Sequence, residues 1–373
     1  VRPAKFLLST LKGTSNMDFG ISFPTYIRCW QDAQMAEEYG FSHTWFYDSQ
    51  MCYSDVYASM ALVAHHTRTI KIGTLVSILG NRIAPVTAHS IATINELAPG
   101  RVILGVGTGF TGRNVMGMPP IPLSTLREHV EIIRDLLAGR EAVYREGSRE
   151  RHIKFIHPER GYINVHDHIP IHMAANGPKA IAMTGELAEG WITIGLEPSY
   201  IADSLRQIRA AASAAGRDLS EIYCTNLTSA CVLRPGESIL SDRVIQQIGP
   251  MAILLLHTNW DPSDIKVGPF APPAVSAAAK AYFDEHILTM KTPMDRRFQE
   301  MHLGHLAFLR EGERAYLTPE LIKAGTLTGS GPEIIDRIRE LEAAGVTNIA
   351  LNVCGTDARE MIREFGREVI SKY

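Results

Sequence analysis

The stretch PVTAHSIATINELAPGRVILGVG, Pro85 to Gly107, changes its period halfway along, and that change decides the fold. Pro85 through Leu97 reads as a helix, because proline suits a first helical turn whose N–H has no intrahelical partner, and Pro99-Gly100 stops it. Arg101 to Gly107 is then a short branched run of the kind buried on both faces of a parallel sheet. Helix, tight stop and buried strand make one step of an alternating α/β chain.

The same step recurs in both directions. Upstream, strands over Met17–Phe23, His43–Tyr47 and Ile70–Val76 alternate with helices over Trp30–Tyr39 and Asp55–His65. Downstream, a helix over Leu123–Leu137 precedes a polar excursion through Tyr162, read as a hairpin-like insert. Strands then fall at Ile169–Ala174, Trp191–Ile194 and Ile222–Leu233, with helices from Pro178 to Leu187 and on to about Ala215. A helix over Pro332–Ala344, a strand over Asn348–Val353 and a terminal helix complete the series. Eight strand candidates, mostly followed by helices, predict a (β/α)8 TIM barrel rather than an open sheet.

One segment does not fit the plain alternation. Residues 234–327 are too long for a βα loop and carry apolar helical patterns at Ser238–His257 and Ala274–Leu288, joined by the proline-rich Gly268–Ala274. They read as an insertion or lid after the seventh strand. The expected organisation is an N-terminal extension over 1–16 and one barrel domain over 17–373 that includes this insertion.

Composition excludes several classes. The chain has 373 residues, is 45% hydrophobic, and sets 37 Lys and Arg against 40 Asp and Glu, so no general attraction to nucleic acid or anionic membrane is expected. Five cysteines without CxxC spacing fit neither a disulfide framework nor a structural zinc site, and favour a reducing, cytoplasmic setting. The apolar run near Phe6 is too short for a signal-peptide core or a membrane span. A GxSxG elbow and a GxxxxGK[ST] loop are both missing, which disfavours hydrolases and NTPases; His302 and His305 lack the acid of an HExxH pattern, so no metal site is assigned. A bound organic cofactor is then the economical source of reactivity.

Candidate ligand contacts follow the predicted strands. Gly105, Gly107 and Gly109 in LGVGTGFTG allow close approach of a flat ring, or tight packing at a barrel rim, with Thr108 between them. In AANGPKA, Asn176, Gly177, Pro178 and Lys179 open a helix whose free N–H groups suit a phosphate, although Pro178 is equally an ordinary first helical residue. Ser330 and Glu333 fit a capping box better than a second anion site. Tyr47 and Asp48 leave the second strand where barrel enzymes place catalytic groups, with Arg82 and Asn81 past the third. Thr74 and Ser77 carry hydroxyls suited either to a ligand or to internal hydrogen bonds, and His302 with His305, three apart on a predicted helical face, are candidate substrate-pocket groups.

These residues resemble the bacterial-luciferase-like superfamily of flavin-dependent monooxygenases and deazaflavin F420-dependent oxidoreductases. The likeness rests on SIATINELAPGRVILGVGTG (Ser90–Gly109), joined in order by FGISFPT (Phe19–Thr25), EEYGFSHTWFYD (Glu37–Asp48), AANGPKAIAMTGELAEGWIT (Ala174–Thr193) and GVTNIAL (Gly345–Leu351). It implies an insertion after the seventh strand and a cofactor ring beside a non-prolyl cis peptide, which by correspondence is Leu75-Val76. Leu75, Val76 and Gly107 are then ring-side residues, with Gly177, Pro178 and Lys179 at the phosphate. It also implies frequent dimerisation through barrel helices.

The phosphate loop is most similar to that of F420-dependent methylenetetrahydromethanopterin reductase. F420 enzymes, however, commonly carry Asp-His after the second strand and an acid after the fourth, where this chain has Asp48-Ser49 and Phe110. The leading expectation is therefore a two-component monooxygenase using reduced FMN from a separate reductase, with O2 and a small organic substrate. The alternatives are F420-dependent hydride transfer and a non-catalytic flavin-binding protein.

Overall fold

The computed structural model describes residues 17–219, 221–258, 273–354 and 358–373. The expected extension over 1–16 and most of the Gly268–Ala274 linker lie outside the described residues.

The barrel strands are β1 (Asp18–Phe23), β2 (His43–Phe46), β3 (Lys71–Thr74), β4 (Val102–Gly107), β5 (Ile171–Ala174), β6 (Gly190–Ile194), β7 (Tyr223–Val232) and β8 (Asn348–Asn352). Each pairs in parallel with the next, and β8 pairs with β1 (Asp18 opposite Asn348), so an eight-stranded parallel barrel closes with helices around it. The outward face is apolar: Ile21, Ile72, Leu104, Met173, Trp191 and Ile349 are buried against the helices.

The inward face is governed by size. Trp45 fills the barrel interior, and a Cβ at Gly20 would lie 2.7 Å from its Nε1, while one at Gly73 would lie 2.5 Å from its Cε3. His172 similarly leaves no room for a side chain at Gly190, where a Cβ would meet its Cγ at 2.5 Å. Large rings on some strands thus require glycine on their neighbours, in line with the close packing of protein interiors.

Departures from the expected elements have local causes. The third strand ends at Thr74, the Leu75-Val76 peptide is cis, and pairing to β4 resumes over Ser77–Ile78. The polar excursion is an antiparallel hairpin, Ala142–Glu146 with Arg149–Ile153. Only the first half of β7 belongs to the barrel. Its second half, Ser229–Val232, pairs with a four-residue strand, Thr326–Gly329, that is too short to show a period.

Within the insertion, the expected first helix runs over Asp242–Thr258 and the second over Pro273–Tyr282, continuing as a π turn through Ile287. Short helices Arg297–Met301 and Pro319–Gly325 follow. The Ser330–Glu333 capping box is present. No described helix is long and apolar enough to cross a membrane.

Candidate active site at the barrel mouth

Three inward positions at the carboxyl ends of adjacent strands build a polar corner. Tyr47, just past β2, is buried; its hydroxyl donates to Asn352 Oδ1 at 2.7 Å and lies 2.9 Å from Ser22 Oγ. The Asn352 amide in turn donates to the Leu306 carbonyl of the insertion at 3.2 Å. Tyr53 donates to the His305 carbonyl, and His305 Nε2 is 3.3 Å from Thr111 Oγ1, beyond β4. The barrel rim therefore holds the insertion by its backbone.

Asp48 does different work. Arg82 Nη1 donates to both of its oxygens at 2.6 Å, while the Ile78 N–H reaches Oδ2 at 3.1 Å and Ser77 Oγ at 3.3 Å. The second guanidinium nitrogen of Arg82 binds Asp55 at 2.9 Å. The carboxylate thus ties the end of β2 to the segment after Leu75-Val76. Its oxygens are occupied by these partners, so the geometry gives Asp48 and Arg82 a positioning part.

The ring-side candidates come together. Leu75 and Val76 belong to one apolar cluster with Tyr47, Ala174 and Ile194, capped by Met251, Leu254 and Leu306 of the insertion. A Cβ at Gly107 would lie 2.8 Å from Val76 Cγ2 and 3.6 Å from Ala174 Cβ, so the glycine lets the Val76 side chain pack closely against β4. Thr74, by contrast, spends its hydroxyl on the Gly105 carbonyl at 2.7 Å, and Thr108 accepts the Ile121 N–H at 3.0 Å through its own carbonyl.

Ala174 leads directly into the exposed turn Asn176–Lys179 at the start of helix Pro178–Leu187. Nothing lies within 4 Å of a Cβ built on Gly177, and the Asn176 carbonyl accepts from Tyr200 at 3.2 Å. An apolar surface of Leu75, Val76 and Ala174 beside an open helix N-terminus fits a flat ring carrying a phosphate.

The mouth holds its acids neutral. Burial pushes Tyr47 and Tyr53 well above the usual phenol range, and it drives the Cys354 thiol up to about 12. These groups are hydrogen-bond donors and acceptors at neutral pH, not bases.

One expectation needs correction. His302 and His305 do not share a helical face: helix Arg297–Met301 ends before them, and Gly304, at φ 78°, turns the chain, leaving the two rings 5.7 Å apart. The inward residues Ser22, Asn352 and Cys354 escaped the motif reading. Their signal was present as polar residues at alternate positions near the ends of otherwise apolar strands. Among the described residues, no group of three or more His, Cys, Asp or Glu side chains is arranged to hold a metal.

Comparison with known proteins places this geometry. The luciferase-like monooxygenase family matches residues 22–348. The 5,10-methylenetetrahydromethanopterin reductase of Methanolobus tindarius is 35% identical over 95% of this chain and 100% of its own, and that of Archaeoglobus fulgidus 27% identical over 95% and 99%. The solved coenzyme F420-dependent tetrahydromethanopterin reductase from Methanopyrus kandleri superposes with a TM-score of 0.69 at 23% identity, covering 96% of this chain and 100% of that one. The chain belongs to the luciferase-like monooxygenase family and is an oxidoreductase of the kind that works through a flavin or deazaflavin.

Proposed function

We propose that this chain is an F420-dependent oxidoreductase that passes a hydride between the deazaflavin and a small organic acceptor, with a reduced one-carbon pterin as the first acceptor to test. The observation that carries this reading is the near full-length likeness to methylenetetrahydromethanopterin reductases. It reverses the order of the two readings expected from the sequence.

The cofactor supplies the hydride chemistry, and the chain supplies position and dryness. In this reading the ring rests against Leu75, Val76 and Gly107, and the first turn after Gly177, with Lys179, takes the phosphate. Met251, Leu254 and Leu306 keep water from the reacting face. Tyr47 is a neutral donor aimed by Asn352 and Ser22, and His302 and His305 are the groups assigned to proton handling.

The test is anaerobic turnover: reduced F420 is mixed with 5,10-methylenetetrahydromethanopterin, and the return of the oxidised F420 chromophore is followed. Reoxidation that depends on both enzyme and acceptor supports the reading. No reoxidation, combined with oxygen-dependent consumption of reduced FMN, overturns it.

One observation favours that second reading. Ser49 and Phe110 stand where F420 enzymes commonly carry a histidine and an acid, and oxygen chemistry on reduced FMN needs neither. In that case the partners are O2 and a separate flavin reductase.

A further inference from the structure

At the end of the barrel opposite the mouth, a cavity of about 250 Å³ opens beside the amino-terminal ends of β5 and β6, where helices Leu123–Leu137 and Pro178–Leu187 finish. Ile169, Ile171 and Leu187, all buried, give it an apolar floor. Its charged lining is unequal: Arg134, Arg140 and Arg217 stand against one carboxylate, Glu189, with His168 beside it.

Most of these groups have a structural use. Arg217 donates to the carbonyls of Gly185 at 2.6 Å and Ala188 at 2.9 Å, and so caps the end of helix Pro178–Leu187. Arg140 pairs with Asp135 at 2.6 Å. Glu189 is engaged through both oxygens, with Oε1 2.7 Å from His168 Nε2 and Oε2 accepting the Ile171 N–H at 2.8 Å. Arg134 differs. It stands in the last turn of helix Leu123–Leu137, and among the described residues its side chain has neither an ion pair nor a hydrogen bond.

The charge that Arg134 does feel is a like one. Burial acts most strongly on the Arg217 guanidinium and lowers its pKa; Glu189 opposes this, and Arg134 adds to the lowering. The negative ends of the two helix dipoles favour cations here, which accounts for Arg217 because it caps free carbonyls. Arg134 caps none. Two guanidiniums facing one cavity repel each other, and an anion placed there turns that repulsion into attraction.

We propose that this cavity is an anion site in which Arg134 and Arg217 together hold a small oxyanion of the phosphate class. A guanidinium has five N–H donors in a fork that matches two oxygens of a phosphate, so Arg217 keeps three after its two helix-capping bonds and Arg134 keeps all five. The volume lies below the roughly 300–1,000 Å³ of sites for drug-sized molecules, which limits the ligand to a small ion or group. The site is independent of the cofactor reading. Helix Pro178–Leu187 has ten residues, so its two ends are about 15 Å apart, and the cofactor's phosphate is assigned to the other end.

The test is equilibrium dialysis of the full chain against radiolabelled inorganic phosphate, at an ionic strength held constant with chloride, for wild type, Arg134→Gln and Lys179→Gln. Lys179→Gln weakens the turn assigned to the cofactor's phosphate and leaves the cavity untouched. The expected result is saturable binding that persists in Lys179→Gln and weakens about tenfold in Arg134→Gln. Thermal unfolding provides a second readout. Without phosphate, Arg134→Gln should melt with the wild type, since it has no partner to lose; with phosphate, the wild type should gain a rise in Tm that the variant lacks. Binding abolished by Lys179→Gln but indifferent to Arg134→Gln overturns the inference, as does a wild type that shows no saturable binding above the chloride background.

Discussion

The two ends of this barrel bury polar groups by opposite means. At the closed end, His43, His172 and Tyr223 sit beneath Trp45, with Tyr223 donating to Asp18 at 2.7 Å and lying 3.1 Å from His43 Nε2. His172 Nδ1 has no hydrogen-bond partner among the described residues. Space there is divided between rings and glycines, leaving no slot. At the mouth, Tyr47, Ser22 and Asn352 satisfy one another, and Gly107 gives room to the Val76 side chain, whose Cγ2 lies 2.8 Å from a Cβ built there. Steric exclusion without full polar satisfaction marks the end that holds the fold. Satisfied polar groups mark the mouth, the end where the ligand is proposed to bind.

Arg82→Ala strikes the mouth end hardest. Asp48 is 3% exposed, and removing its partner leaves a buried carboxylate uncompensated, for an expected loss of about 3–5 kcal/mol. Urea unfolding reads this directly; a loss within experimental error of zero means that Asp48 finds water and that the Arg82 pair is not what anchors Ser77–Ile78.

Gly107→Val separates the two ends. Its side chain would meet Val76 beside the ring-side residues, so cofactor binding by the folded fraction is expected to weaken by about a hundredfold, or roughly 2.7 kcal/mol, and stability to fall by about 1–3 kcal/mol. Gly73→Ala is the mirror experiment. Its new methyl meets Trp45, so stability falls by about 1–3 kcal/mol while the cofactor affinity of the folded fraction is kept. A Gly73→Ala protein of unchanged stability contradicts the steric account of the closed end.

Acid should find the closed end first. Burial holds the folded-state pKa of His43 down to about 4 and that of His172 to about 3, with Asp18 opposing the shift of His43 and Lys71 adding to both. The unfolded chain binds these protons near pH 6.5, so the unfolded state carries more protons across that window. Stability contributed by the neutral rings is complete above pH 6.5 and is lost as pH falls toward 4 and below, by on the order of 1 kcal/mol per unit for each histidine. His172→Gln should flatten the slope between pH 6.5 and 4 in a melting series; an unaltered slope assigns the acid sensitivity elsewhere.

Tyr47→Phe is the smallest change. It removes the hydroxyl between Ser22 and Asn352 and is expected to cost about 1 kcal/mol of stability. The informative outcome is kinetic, since a lowered kcat at unchanged cofactor affinity places the hydroxyl at the reacting atoms.

The barrel was legible because a strand buried on both faces is written as an unbroken branched run, as in Arg101–Gly107 or Asn348–Val353. Thr326–Gly329 was not, because its pairing is with the overhang of β7 and four residues carry no period. The close approach of Val76 to Gly107 was visible as a glycine cluster, and the helix opening at Pro178 as a Gly-Pro step. Asp48 was read from its place after β2 without the partners that occupy it, since ion pairing over a sequence separation of 34 leaves no local trace. The histidine pair was misplaced because an apparent i,i+3 spacing spans Gly304, where the chain turns.

The central claim is that the mouth is built for a phosphate-bearing deazaflavin. Anaerobic equilibrium titration of wild type and Gly107→Val with F420 and with FMN, followed by the cofactor's own fluorescence, addresses it most directly. The account predicts saturable F420 binding by the wild type, tighter than FMN, and about a hundredfold weaker binding by the folded fraction of Gly107→Val. Preferential FMN binding, or F420 binding indifferent to residue 107, contradicts it.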